Sequence, residues 1–260
     1  MTDDFARVYE QSAHRITEPV SVAALEMVGI GPSTRLLDIA AGAGALSVPA
    51  AEKGARVVAT DVAPGMVRRL AERLRTFPGC EAREMDGEAL GFGDQSFDAA
   101  FSIFGVMLFS DWRRGLREQA RVLRTGGKGC VATWRDPPGG GPFVLMASAL
   151  RSILPDRPSP ASPEGMAVLS DPGQLEAEMR AGGFDQVEVR ELQGTWKGPA
   201  GDAYFQETEA LHRYMRPYAA LDEAGRARVK SKIRLLLDEH TVREAVELPS
   251  AVLVGIGTRA

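Results

Sequence analysis

Asp38, Gly42 and Gly44 stand in the run Asp38-Ile39-Ala40-Ala41-Gly42-Ala43-Gly44, and Asp61 follows Gly42 by 19 residues. Glycine and alanine let a backbone come close to a ligand, and a helix opening behind them offers unpaired N–H groups. A carboxylate at the end of the next strand can accept hydrogen bonds from both hydroxyls of a ribose. These residue types at this spacing indicate a nucleoside-containing cofactor without saying which one. A nicotinamide fingerprint wants glycine or alanine where Ser47 stands, so serine fits it poorly. Ala40 places a methyl group near the ligand and resists a positive φ.

Other chemically capable residues are sparse. His14, His212 and His240 lie too far apart for a local metal motif, and with only two cysteines there is no Cys/His cluster, so no metal is expected. Cys80 and Cys130 read as buried thiols of a reducing compartment. His14 sits in Val8-Tyr9-Glu10-Gln11-Ser12-Ala13-His14-Arg15. It can be a general base with a near-neutral pKa, or a surface or capping histidine. His212 lies among Tyr204, Phe205, Tyr214 and Tyr218, which could line a substrate pocket or simply pack helices. Trp134 closes an apolar run at an edge where ligands of open sheets bind. Arg113, Arg114, Arg117, Arg121 and Arg124 read as the solvated surface of one helix.

The elements that must position these residues alternate. Strands are expected at 35–40, 56–61, 80–85, 97–103 and 128–134. Helices are expected at 44–53, 64–77 and 111–124, the last ended by Thr125-Gly126-Gly127 as cap and turn. This βα alternation predicts a parallel sheet wrapped by helices. Residues 136–142 read as a loop, and 155–165, with Pro155, Pro158, Pro160 and Pro163, as irregular. A helix at 171–181 leads through Gly182-Gly183 to a strand near 185–192. Residues 202–245 read as wholly helical and 250–258 as a last strand. The helical block is more than a sheet needs, which favours a cap.

The chain has 260 residues, 31 Lys plus Arg against 35 Asp plus Glu, and a net charge of −4. That balance disfavours a protein built to grip phosphate backbones. The N-terminus lacks the basic start and apolar run of a signal peptide, and no stretch of 18 apolar residues occurs. The expectation is a cytoplasmic monomer or homodimer with no membrane or nucleic-acid partner.

Four blocks carry a resemblance to a family. Leu36 through Gly44 resembles the first motif of class I S-adenosylmethionine-dependent methyltransferases, with Ala40 where the family has its first glycine. Asp61-Val62-Ala63-Pro64-Gly65-Met66 resembles the second. Glu84-Met85-Asp86-Gly87-Glu88-Ala89-Leu90, followed by Phe92-Gly93-Asp94-Gln95-Ser96-Phe97-Asp98, resembles the third. Arg121 through Lys128 resembles the turn before the fifth strand. The blocks occur in order from about 35 to 134, and the nearest subgroup contains the ubiquinone/menaquinone-biosynthesis and small-molecule methyltransferases.

The resemblance implies a Rossmann-like α/β fold: seven strands, mostly parallel, the last antiparallel, with helices on both faces and an inserted helical cap. It divides the single domain into an N-terminal helical lid (1–34), a cofactor core (35–135) and a substrate-side half (136–260). It implies S-adenosylmethionine as cofactor, S-adenosylhomocysteine as product and a small, quinone-like or secondary-metabolite acceptor. Ala40, Gly42 and Gly44 would line the methionine and ribose, Asp38 would hold the methionine ammonium, and Asp61 the ribose. Met66 would pack against the adenine, Val62 would belong to the cofactor site, Asp86 would accept from the adenine amino group, and the Gly87 N–H would face a ring nitrogen. Ser102 would offer its carbonyl to the ammonium, with Phe104 beyond. Tyr9, Trp134, Tyr204 and His212 are expected at the substrate and His14 as the catalytic base. The alternatives are action on RNA or protein, a non-methylating reaction on the same fold, or an NAD(P)-dependent reductase.

Overall fold

Leu36, Leu37, Asp38 and Ile39 are all buried, which a strand permits only where helices cover both faces of its sheet. The computed structural model describes residues 3–136, 139–155, 163–213 and 215–260. Pro137 and Pro138 of the expected loop, Pro158 and Pro160 of the proline-rich stretch, and Tyr214 of the aromatic group lie outside the described residues.

In chain order the elements are α1 (Asp3–Val28), β1 (Arg35–Ile39), α2 (Ser47–Glu52), β2 (Arg56–Asp61), α3 (Pro64–Leu74), β3 (Glu81–Glu84) and β4 (Phe97–Ile103). A 3-10 turn (Val106–Leu108) leads to α4 (Trp112–Val122), β5 (Leu123–Trp134), α5 (Pro142–Ile153), α6 (Glu164–Val168), α7 (Pro172–Ala181) and β6 (Phe184–Pro199). The chain ends with α8 (Gly201–His212), α9 (Arg216–Ala219), α10 (Glu223–His240), β7 (Thr241–Val242) and β8 (Ala245–Arg259).

The sheet order is β3-β2-β1-β4-β5-β8-β6, with β7 paired to β8. β3, β2, β1, β4 and β5 pair in parallel, while β8 runs antiparallel to both β5 and β6. The expected fold class holds; the two-residue β7 is an eighth strand beyond the seven expected. The chain reverses its winding between β1 and β4, and ligands of open α/β sheets bind at such a switch point, beyond the strands' carboxyl ends.

Several boundaries differ from the expectation, each for a local reason. The helix expected from residue 44 begins at Ser47, because Gly42 (φ 56°) and Gly44 (φ 93°) hold the chain in left-handed turns. α4 stops at Val122, and Thr125-Gly126-Gly127 is not its cap. Those residues lie within β5, where the register with β4 shifts between Phe97 and Ala99 and Gly126 sits at φ 78°. Arg124 therefore belongs to β5, paired with Asp98 at 2.8 Å, and not to the helix. The block 202–245 breaks into α8, α9 and α10, and residues 241–245 turn through β7 into β8. Pro142 to Ile153 forms α5, which the sequence reading passed over; its apolar face is buried in the cap. Cys130 is buried, but Cys80 is only half-buried and takes a bond from the Val57 N–H.

Three cores result. The largest lies on both faces of the sheet and includes Leu36, Val57, Phe101, Val131 and Val254. A second, under α5, α8, α9 and α10, gathers Met146, Trp196, Tyr204, Tyr218 and Ile233. The third joins Phe5 and Ala6 of α1 to Ala43, Met66 and Leu211. Through it, α1 is pressed onto the loop that follows β1. Arg15 adds a tie, bonding the Lys197 carbonyl at 2.9 Å and Glu207 at 2.8 Å.

Candidate functional site

The loop after β1 is built by its backbone bonds. Ala41 N–H donates to the Thr60 carbonyl at 2.8 Å, and Gly42 N–H donates to an Asp61 carboxylate oxygen at 2.9 Å. The other Asp61 oxygen accepts from Ala63 N–H at 2.9 Å. Asp61 thus joins β2 to the loop and keeps lone pairs for a further donor. Burial raises its pKa, and the three backbone N–H groups around it oppose that rise. Gly44 sits at φ 93°, which strains any side chain, and a Cβ there would stand 2.7 Å from the end of the Leu70 side chain.

Ala40 adopts φ 56°, contrary to the expected resistance of alanine. Gly105 makes room, because a Cβ on it would come within 2.6 Å of the Ala40 methyl and 2.7 Å of Ser102 Oγ. Ser102 Oγ in turn accepts from Val106 N–H at 2.9 Å. Ser47, the misfit to a nicotinamide fingerprint, donates its hydroxyl to Asp38 at 2.5 Å. Burial pushes Asp38 up to about 7, helped by the neighbouring Asp61 charge and opposed by Ser47.

The outer wall lies at β3 and β4. Asp86 is exposed and accepts from Glu88 N–H at 2.8 Å through one oxygen, leaving the other free. Gly87 is buried under Phe109, whose ring leaves no room for a Cβ. Glu88 pins the turn before α4 by accepting from the Ser110 and Asp111 N–H groups. Val62 is 66% exposed beside Asp61, whereas Met66 is 4% exposed in the third core. The apolar side chain open at this edge is therefore Val62, while Met66 is packed in the third core.

Phe104 (φ 57°) stacks on Trp134 with ring centroids 4.2 Å apart. Tyr204 and His212 are buried in the cap. His212 Nε2 is buried and unpartnered, and the Tyr204 hydroxyl is likewise unpartnered. Burial lowers His212 to about 4.

His14 is not placed as a base. Its Nδ1 faces the Arg73 guanidinium at 3.3 Å, and burial together with Arg73 lowers its pKa to about 4. Tyr9 covers the loop, its ring 3.8 Å from where a Gly42 Cβ would stand. Burial, with the Asp61 charge second, pushes the Tyr9 phenol up to about 12. On α4, Arg113, Arg114 and Arg117 are exposed, as expected of a solvated surface; Arg113 pairs with Glu178, and the half-buried Arg121 with Glu118 and Asp94. Ser47, Arg73, Gly105 and Glu88 escaped the sequence reading as site builders, because each acts through a partner distant in sequence.

Between α1 and the loop lies a cavity of about 30 Å³, lined by Tyr9, His14, Asp38, Gly42 and Ile103 among others. A nucleoside cofactor needs roughly 300 Å³ or more, which is more than this cavity offers with α1 in place. The donor set fits such a molecule. Asp61 is an acceptor for a diol, Asp38 a buried carboxyl beside glycine backbone, and Val62 an exposed apolar surface. His14 adds a buried Nε2 that lacks a partner.

Comparison with known proteins agrees. Residues 37–131 match the family described as a methyltransferase domain. A demethylmenaquinone methyltransferase of Corynebacterium urealyticum is 34% identical over 174 residues, 64% of this chain and 74% of that protein. An uncharacterized protein of Mycobacterium tuberculosis is 36% identical over 152 residues, 58% of this chain and 53% of its own length, so the chain spans about half of it. The crystal structure described as a putative methyltransferase from an antibiotic biosynthesis pathway of Anabaena variabilis superposes with a TM-score of 0.60. It has 16% identity and covers 91% of this chain and 96% of its own.

Proposed function

The chain belongs to the class I S-adenosylmethionine-dependent methyltransferases, and from that membership we propose that it transfers a methyl group to a small, partly apolar acceptor, quinone-like or a secondary metabolite. One observation carries the reading: Asp61, Gly42 and Asp38 converge at the switch point, with the Phe104–Trp134 stack on the same strand edge. The likeness to a demethylmenaquinone methyltransferase and the net charge of −4 support a free metabolite over a nucleic acid.

Bound, the cofactor supplies a methyl group on a sulfonium, already activated for in-line displacement. The chain's part is alignment, which in well-oriented reactions supplies about 7–11 kcal/mol. Asp61 receives the ribose hydroxyls, and Ala40, Gly42 and Gly44 admit the backbone close to the methionine and ribose. Asp38, with the Ser102 carbonyl, takes the ammonium. Val62 covers the adenine, the free Asp86 oxygen accepts from its amino group, and Gly87 N–H faces a ring nitrogen. Phe104 and Trp134 form the apolar wall against which the acceptor lies. Tyr9 closes that space from α1, and the unpartnered His212 Nε2, near Tyr204, hydrogen-bonds a polar group of the acceptor. The lid (1–34) and the substrate-side half (136–260) then select the acceptor around a core at 35–135.

The test is transfer from cofactor carrying a labelled methyl group into a mixed cell extract. Label is expected in the small molecules soluble in organic solvent. Label confined to RNA or protein would overturn the choice of acceptor. Absence of S-adenosylhomocysteine binding at millimolar ligand in calorimetry would overturn the reading as a whole.

A further inference from the structure

We propose that His14, locked in one tautomer by Arg73, is the hydrogen-bond donor that recognises the carboxylate at the amino-acid end of the cofactor. The inference rests on the cofactor reading above. His14 is 9% exposed and stands between two cavities. The inner is the one under α1 that Asp38 and Gly42 line. The outer, of about 420 Å³, is lined by Arg73 and Glu18, which do not reach the inner one.

Nδ1 is turned outward, 3.3 Å from an Arg73 amino nitrogen and 3.8 Å from the Glu18 carboxylate. A guanidinium only donates, so Nδ1 must accept and the imidazole proton must reside on Nε2. Arg73 is itself fixed by donating to the Ala43 carbonyl at 2.7 Å and by lying 3.4 Å from Glu10. The same loop that would receive the cofactor therefore sets the histidine's tautomer.

Nε2–H is buried and has no partner. Of the hydroxyls lining the inner cavity, Thr17 donates to the Ala13 carbonyl at 3.1 Å and Ser21 to the Thr17 carbonyl at 2.8 Å, while the Tyr9 phenol is a second donor on the same lining. A lone buried donor costs free energy until an acceptor reaches it. With a guanidinium directly behind the ring, the acceptor that gains most is an anion. An amino-acid group carries one cation and one anion. Asp38 matches the ammonium and His14, backed by Arg73, matches the carboxylate, and Asp38 and His14 line one cavity. This also explains why His14 is no base: its lone pair is engaged by Arg73 and its proton faces the ligand. Because His14 rides on α1, a ligand that bears the carboxylate also draws α1 down over the site.

Calorimetry with S-adenosylmethionine and with its decarboxylated analogue tests this. His14→Leu is expected to weaken the carboxylate-bearing ligand roughly 10- to 100-fold, the worth of a charge-assisted hydrogen bond, and to leave the analogue within about twofold. His14→Gln, which keeps an N–H donor, is expected to restore most of the loss. The analogue's unchanged binding shows that the variant is folded. Equal weakening of both ligands, or of neither, would overturn the assignment while leaving the cofactor reading standing. Failure of the unmodified chain to bind S-adenosylmethionine would overturn both. Nitrogen NMR of the imidazole of the ligand-free chain gives a second readout. A bare Nδ1 and protonated Nε2 are expected, and the opposite tautomer would overturn the proposal.

Discussion

Replacing Asp38 with asparagine separates the cost of burying this carboxylate from its use. Asp38 is 1% exposed at the end of β1, and burial moves it from 3.8 to about 7. A carboxyl so raised favours the neutral form by about 4 kcal/mol, at 1.36 kcal/mol for each pKa unit. The sign follows from proton counting. Between about pH 4 and pH 7 the folded chain holds a proton that the unfolded chain has released, so stability falls as pH rises through that window. Below it both states are protonated and nothing is lost; above it the loss is complete. Asparagine keeps an acceptor for the Ser47 hydroxyl and has no charge to bury. The ligand-free Asp38→Asn chain should therefore gain on the unmodified chain as pH rises, by about 3 kcal/mol between about pH 5 and pH 8.5. That corresponds to roughly 6–12 °C in the midpoint of thermal unfolding, followed by circular dichroism. Asparagine's buried amide adds a penalty, but that penalty does not vary with pH, so the slope is diagnostic. A midpoint difference constant across that range would refute the argument. Binding supplies the converse: an ammonium beside Asp38 requires it ionised, so S-adenosylhomocysteine should displace a proton at about pH 6, seen as a buffer-dependent heat of binding.

Two further outcomes follow from the geometry. Gly105→Ala should destabilise by about 1–3 kcal/mol in urea unfolding, as overpacked sites do. Adding Ala40→Gly should recover part of that, since the 2.6 Å clash is with the Ala40 methyl; strictly additive effects would refute the contact. Trp134→Leu should lower kcat/KM for the acceptor about tenfold, from lost ring pairing and apolar cover, while S-adenosylhomocysteine affinity stays within twofold. A loss shared equally by both ligands would move Trp134 out of the acceptor site.

The parallel core was legible because its signals are local. An apolar run such as Leu36 to Ile39 must be a buried strand, and glycines at 42 and 44 must break the path into the next helix. Asp61 could be assigned a ligand from its position alone, since the end of β2 faces the switch point in any such sheet. Where a residue's state depends on a partner far along the chain, the same reading failed. The glycines at 126 and 127 look like a helix stop, yet pairing with β4 places them inside β5. Met66 and Val62 are both apolar and four residues apart; only the packing of α1 and α8 decides that Met66 is covered while Val62 stays open.

The histidine at position 14 shows the division most plainly. Its residue type suggested a group that titrates near neutral pH, which burial and Arg73 overturn, and its place in an N-terminal segment suggested proximity to the ligand. Whether it accepts or donates was decided by Arg73, 59 positions away, which the docking of α1 on α3 brings to its Nδ1. Periodicity and turn chemistry determine elements from neighbours in sequence, and so the cofactor-binding core could be read directly. Tautomer, ionisation and access to a ligand depend on the charges and volumes that surround a group in three dimensions, and these exist only once the helices have packed.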